Sequence, residues 1–312
     1  MRLDPAVARF LRACEDAAPA ELPLADRREC LRLLLDLNFV RYGTPGPDLP
    51  RIAEYVVPVT GDSIRIRLYY PAEATQVQPV HVVLHGGGWW QGSIDDRVNE
   101  AGCRRLAADS GVVVAAVDYR LAPENPFPAG LEDCCAALRW LAAEAAGLGL
   151  DPLRISVGGN SAGAGLAAAV TLVARDNESL PSLVFQLLEV PALDISHDTG
   201  GANELVTPVG LYLPDPGLAE LPTASPLLAP DLSGLPPACI YVAEHDALRR
   251  QGEAYARRLA EAGVAVTVEF GTGGVHGSLL LTRIWPPAAE WQRKAARLLA
   301  AAHRSAIVPE VS

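Results

Sequence analysis

The sequence predicts an α/β protein with a mostly parallel central sheet and helices on both faces. Three observations carry this reading. Short apolar runs recur along the chain, helical stretches separate them, and half of the 312 residues are hydrophobic, enough for one large core.

The first fifty residues read as helical, with Leu31, Leu34, Leu35 and Phe39 at helical spacing until the breaker GTPGPDLP at 43–50. Residues 64–70 then alternate as a half-buried strand does. The runs at 80–84, 112–117, 155–158, 183–188 and 239–243 are continuously apolar, as strands covered on both faces are, and 264–270 reads as the last strand. Helices are expected at 96–110, 130–146, 161–176 and 249–263. A final helix places Trp291, Ala295, Leu298, Leu299 and Ala302 on one face. The segment 194–222, rich in Gly, Pro and Asp, fits neither period and is expected to be an irregular lid insertion. No internal repeat is visible.

The formal charge of −11, without a Lys/Arg-rich run, argues against nucleic acid or an anionic membrane surface as partner. No stretch reaches the roughly 18 apolar residues of a spanning helix. Residues 1–10 lack the apolar core of a signal peptide. Cys14, Cys30, Cys103, Cys134, Cys135 and Cys239 form no CxxC pair, so the expectation is reduced thiols in a cytoplasmic protein. No motif calls for a metal or another cofactor.

Gly159-Asn160-Ser161-Ala162-Gly163 matches G-x-S-x-G between a predicted strand and a predicted helix. A sharp strand-to-helix turn exposes a serine hydroxyl, and small flanking residues avoid backbone collisions. Alone, the match is also what a Gly-rich turn with a capping serine would give. His85-Gly86-Gly87-Gly88-Trp89 follows an earlier strand, and its glycines leave backbone N–H groups uncovered, as stabilisation of an oxyanion requires. The remaining partners should follow in the order serine, acid, histidine. His276 lies in a loop between the last strand and the last helix. Asp246, with Glu244 as the alternative, follows the strand at 239–243.

These motifs resemble the bacterial hormone-sensitive-lipase-like esterases of the α/β-hydrolase superfamily. Further matches are Asp118-Tyr119-Arg120-Leu121-Ala122-Pro123-Glu124, Phe127-Pro128-Ala129, Leu131-Glu132-Asp133, Ser225-Pro226-Leu227 and Leu235-Pro236-Pro237-Ala238. The resemblance implies an α/β-hydrolase catalytic domain over 51–312 beneath a helical N-terminal cap over 1–50. It implies a triad of Ser161, Asp246 and His276, and oxyanion donors on Gly87, Gly88 and Ala162. The chain departs from the family pattern at Asn160, Ala164, Ser278 and Glu189. Glu189 closes a buried strand and is either satisfied locally or a second ionisable group near the site. Trp89, Trp90 and Glu189 are candidate pocket residues, with packing the competing explanation for the tryptophans.

The expected activity is hydrolysis of carboxylic esters of short to medium acyl chain through an acyl-enzyme. The expected partner is a small-molecule ester, and a homodimer is compatible with the sequence. Two alternatives stand beside this: an enzyme dedicated to one natural product, by deacylation, demethylation, lactone formation or elimination, and a non-catalytic small-molecule receptor.

Overall fold

The computed structural model describes residues 3–15, 22–72, 77–197 and 208–305. In chain order the elements are α1 (Pro5–Glu15), α2 (Leu24–Tyr42), β1 (Arg51–Val59), β2 (Asp62–Tyr70), β3 (Gln78–Leu84), α3 (Arg97–Ser110), β4 (Val113–Asp118), α4 (Ala129–Ala143), α5 (Ala145–Leu148), β5 (Leu150–Asn160), α6 (Ala162–Arg175), β6 (Leu183–Glu189), α7 (Pro208–Tyr212), β7 (Ala238–Ala243), α8 (Arg249–Glu261), β8 (Val266–Gly271) and α9 (Pro286–Ser305). Short 3-10 turns fall at Pro216–Glu220, Pro226–Leu228 and Ser278–Leu280.

The strands form one sheet in the order β1-β2-β4-β3-β5-β6-β7-β8. β1, β2 and β4 pair antiparallel, and every other pairing is parallel. Helices α3 and α9 pack together on one face, while α4, α6 and α8 cover the other. Burial on both sides explains the unbroken apolar runs: every residue of β7 is buried, as are the first five of β4. The chain runs from β3 to β4 on one side and then returns to place β5 on the other. The carboxyl ends of β3 and β5 therefore flank a crevice at the switch point, where open α/β sheets collect ligands.

Two local features depart from the sequence expectations. Strand β1 was not foreseen, because along it only Val57 is buried and no clear alternation results. It exists as the partner of β2 in a hairpin, turned at Gly61 with φ +79°. The segment 194–222 is less irregular than expected. Its residues 198–207 lie outside the described part, but the remainder contains α7 and a 3-10 turn, and Val209, Tyr212, Leu213 and Ala219 join the main core.

The stretch between β4 and α4 is fixed by charge. Asp133 on α4 is fully buried and receives Arg120 Nε and Nη2 at 2.7–3.1 Å, as well as the Arg120 backbone N–H at 2.9 Å. Removing one member strands the other in low dielectric, at a cost of about 3–5 kcal/mol. Asp133→Ala should lower the unfolding free energy by that order in chemical denaturation. A change within experimental error would show that the pair is dispensable.

Candidate active site

Ser161 stands between β5 and α6 with φ +53° and ψ −120°, a conformation that non-glycine residues rarely adopt. Neighbours hold it there. Its N–H donates to the Glu189 carbonyl at 2.8 Å, and its own carbonyl accepts from Gly165 and Ala192. The turn also brings Gly163 against β3, where a Cβ would meet the Leu84 carbonyl oxygen at 2.1 Å and that of His85 at 2.4 Å. Only glycine permits that approach.

The three residues expected to cooperate are brought together. His276 Nε2 lies 2.8 Å from Ser161 Oγ, and His276 Nδ1 lies 2.8 Å from Asp246 Oδ2. The Asp246 side chain is 2 % exposed, whereas that of His276 is 42 % exposed. The acid is thus shielded while the imidazole reaches the open crevice. Asp246 Oδ1 accepts the Leu248 N–H at 2.8 Å, which fixes the carboxylate plane. The alternative acid, Glu244, instead accepts the Gly273 N–H at 2.7 Å, and His245 N–H donates to the Gly274 carbonyl. Those contacts tie down the loop that carries His276.

Gly87 and Gly88 follow β3 with φ +126° and +60°. Among the described residues, neither N–H has an acceptor, and Ala162 N–H is the first of α6, which a helix leaves unpaired. Three N–H groups near Ser161 are thus without a backbone acceptor. The block after β4 holds this loop. Tyr119 Oη donates to the His85 carbonyl at 2.7 Å and stacks on the His85 ring, while Ala122 N–H donates to the Trp89 carbonyl at 2.9 Å.

Sequence reading missed Arg28. From α2, its Nε donates to the Trp90 carbonyl at 2.6 Å, Nη2 donates to the Ala122 carbonyl, and the guanidinium pairs with Glu124. This one side chain joins the N-terminal helix to the glycine loop and to the block that supports it. In sequence it is one of several arginines on a polar helical face, and nothing marks it out.

A cavity of about 840 Å³ opens at Ser161. Helix α2, the glycine loop, α3, the His276 loop and α9 line it, with Trp90, Asn160 and Glu189 in the wall. Trp89 is not part of that wall. It is 5 % exposed and stacks on Tyr212 with ring centroids 4.6 Å apart, so packing accounts for it. Glu189 faces the cavity while surrounded by protein. Its Oε1 accepts the Trp291 indole N–H, and burial pushes its carboxyl up to about 7, against the pull of that hydrogen bond.

A second serine–histidine contact is of another kind. Ser156 Oγ bridges His81 Nδ1 and His303 Nε2 at 2.8 Å each, and all three residues are buried. Burial pushes His81 down to about 3 and His303 to about 4, so both rings are neutral at pH 7. Among the described residues no carboxylate bonds to either ring, and Ser156 does not reach the cavity. No cluster of His, Cys, Asp and Glu suited to a metal ion occurs among the described residues.

Fold and site geometry are those of a serine hydrolase. Residues 81–280 match a family model described as alpha/beta hydrolase fold. Carboxylesterase NlhH of Mycobacterium tuberculosis is 38% identical over 309 residues, covering 92% of this chain and 95% of its own. An arylesterase of Saccharolobus solfataricus is 34% identical, covering 89% and 93%. The solved structure of a hyperthermophilic esterase from Pyrobaculum calidifontis superposes with a TM-score of 0.85 at 32% identity, covering 99% of this chain and 100% of that one. The chain belongs to the α/β-hydrolase family, in its hormone-sensitive-lipase-like branch, and is an enzyme of the carboxylesterase class. No helix among the described residues is long and apolar enough to cross a membrane.

Arg28→Ala should lower kcat/KM for a simple ester by about tenfold, since it frees both the glycine loop beside Ser161 and the helix packed over it. Reaction of Ser161 with a phosphonate should still go to completion. Unchanged kcat and KM would show that the loop holds its shape without α2.

Proposed function

We propose that Ser161 is the nucleophile, His276 the general base and Asp246 the acid that orients it, in the hydrolysis of carboxylic esters of short to medium acyl length. The observation that carries this is the continuous hydrogen-bonded chain Asp246–His276–Ser161 beside uncovered backbone donors. His276 takes the Ser161 proton as Oγ bonds to the ester carbonyl carbon. The Gly87, Gly88 and Ala162 N–H groups stabilise the oxyanion, and Asp246 holds the imidazolium. His276 then gives the proton to the departing alkoxide, leaving an acyl-Ser161. Water, deprotonated by the same histidine, attacks that ester, and the acid leaves as Ser161 regains its proton.

The limit on acyl length follows from the walls. Helix α2 of the 1–50 segment caps the cavity with Ala25, Arg28, Leu31, Leu34 and Leu35, and Pro208 of the 194–222 segment closes part of its rim. An added methylene gains about 0.8 kcal/mol only where it finds apolar wall. The intact Ser161–His276 contact favours turnover over a receptor role. The free thiols Cys30, Cys103, Cys134, Cys135 and Cys239 support a cytoplasmic location. The same reading admits a homodimer, for which Val268 and Phe270 on edge strand β8 offer an exposed apolar face.

Ser161→Ala should abolish turnover of p-nitrophenyl esters and stoichiometric phosphonate labelling. Labelling elsewhere, or retained activity, overturns the assignment. In a chain-length series the wild type should prefer short to medium acyl groups and show no rate jump at an oil–water interface. Turnover of no simple ester, with Ser161 still labelled, points instead to the dedicated natural-product enzyme.

Asp246→Asn should cut kcat by about four orders of magnitude, because the amide favours the wrong imidazole tautomer. Glu244→Gln should cost far less, since Glu244 holds a backbone amide and does not touch His276. The reverse ranking, measured by steady-state kinetics, would move the acid to Glu244.

A further inference from the structure

Beyond Ser161 the cavity continues into an arm between the sheet and the α3–α9 face. Asn160 and Glu189, register partners at the ends of β5 and β6, form its floor, and Cys103, Trp291 and Gln292 stand opposite. The Trp291 N–H fixes one Glu189 oxygen, Oε1, and thereby aims the carboxyl group. The other, Oε2, has no donor among the described residues, and the Asn160 side-chain amide has no partner there either. The titratable groups that feel the Glu189 charge are Cys103 from α3 and Cys239 and Tyr241 from β7. Burial keeps all three neutral, so none serves as a cationic partner. Trp291 and Gln292 of α9 and Asn160 of β5 carry no charge.

An acceptor oriented by one hydrogen bond and left open to a cavity is a recognition element lacking its donor. We propose that Glu189 determines specificity: its Oε2, together with the Asn160 amide, receives a hydrogen-bond-donating group, hydroxyl or ammonium, on the acyl part of the ester. This rests on the assignment of Ser161 as nucleophile. The acyl part is the one placed here because the alcohol must leave after the first step, whereas the acyl group stays bonded to Ser161 until water arrives. An inner arm suits the fragment that stays.

The two donor types separate with pH. Because Oε1 accepts from the indole, the carboxyl proton, when present, sits on Oε2. Burial places that titration near 7. Above it Oε2 is a charged acceptor and favours an ammonium group. Below it Oε2–H is a donor that a hydroxyl oxygen can still accept and an ammonium cannot. Preference for an ammonium-bearing chain should therefore grow as pH rises through this range, while preference for a hydroxyl changes little.

The test uses p-nitrophenyl esters of straight-chain acids ending in a hydroxyl or ammonium group, each paired with the methyl-ended chain of equal length. Rates are corrected for spontaneous reaction. At one chain length the wild-type kcat/KM should favour a donor-ended ester by about tenfold or more. Glu189→Leu should erase that advantage while keeping turnover of methyl-ended esters and phosphonate labelling of Ser161. Glu189→Gln should keep the hydroxyl preference and lose that for ammonium. Good turnover of methyl-ended esters with no donor preference at any length overturns this inference and leaves the esterase assignment standing. So does a preference that survives in Glu189→Leu. Absence of turnover with every ester, and of labelling at Ser161, overturns the assignment of Ser161 and this inference with it.

Discussion

The close approach of α6 to β3 at Gly163 is the constraint on which the rest of the site depends. The helix can begin directly after β5 only because Ser161 accepts a left-handed conformation and because the Leu84 and His85 carbonyls meet no side chain at 163. A residue held this way stores on the order of 1–3 kcal/mol of strain. Hydrogen bonds from Ser161 N–H to β6, and from Gly165 and Ala192 to its carbonyl, hold it in place. The same closeness sets the first turn of α6 beside the loop that follows β3. The strained turn at Ser161 and the placement of Ala162 beside the glycine loop are therefore products of one packing contact.

Around that contact the support comes in layers. Asp133 and Arg120 fix the chain after β4, Tyr119 and Ala122 from this chain hold the glycine loop, and Arg28 ties α2 across both. The links from Tyr119, Ala122 and Arg28 to the glycine loop and its support end on backbone carbonyls, so main chain rather than side-chain rotamers is being positioned there. Backbone donors at an oxyanion need that, because they act only if they are oriented before charge develops.

Surroundings, not residue types, separate the two serine–histidine contacts. Ser156 lies between His81 and His303 with ring distances equal to those at Ser161, yet it sits mid-strand, fully buried and without a carboxylate. Ser161 sits at a strand end, with an exposed histidine backed by a buried aspartate. Burial of both neighbouring rings makes the first a neutral packing element. Partial exposure and a hydrogen-bonded aspartate set the second apart. Glu189 shows the same dependence: one oxygen is engaged by Trp291, and burial raises its carboxyl to about 7.

By itself the sequence determined the α/β class, the glycine loop, the elbow at 159–163 and the order serine, acid, histidine, because each is written in local periodicity or in contiguous residues. In sequence Asp246 is preferred to Glu244 only for its position further into the loop, since both follow the same strand. Only the folded loops show that Asp246 meets His276 while Glu244 binds Gly273. Strand β1 has too little buried surface to leave a pattern, and its existence rests on pairing with β2. Of two adjacent tryptophans, tertiary packing sent Trp89 into the core against Tyr212 and left Trp90 on the cavity wall. Arg28 and the partner of Glu189 became visible only in three dimensions. Arg28 lies 62 positions from Trp90, and Glu189 lies 102 from Trp291. No local periodicity encodes a contact between residues that only the fold makes neighbours.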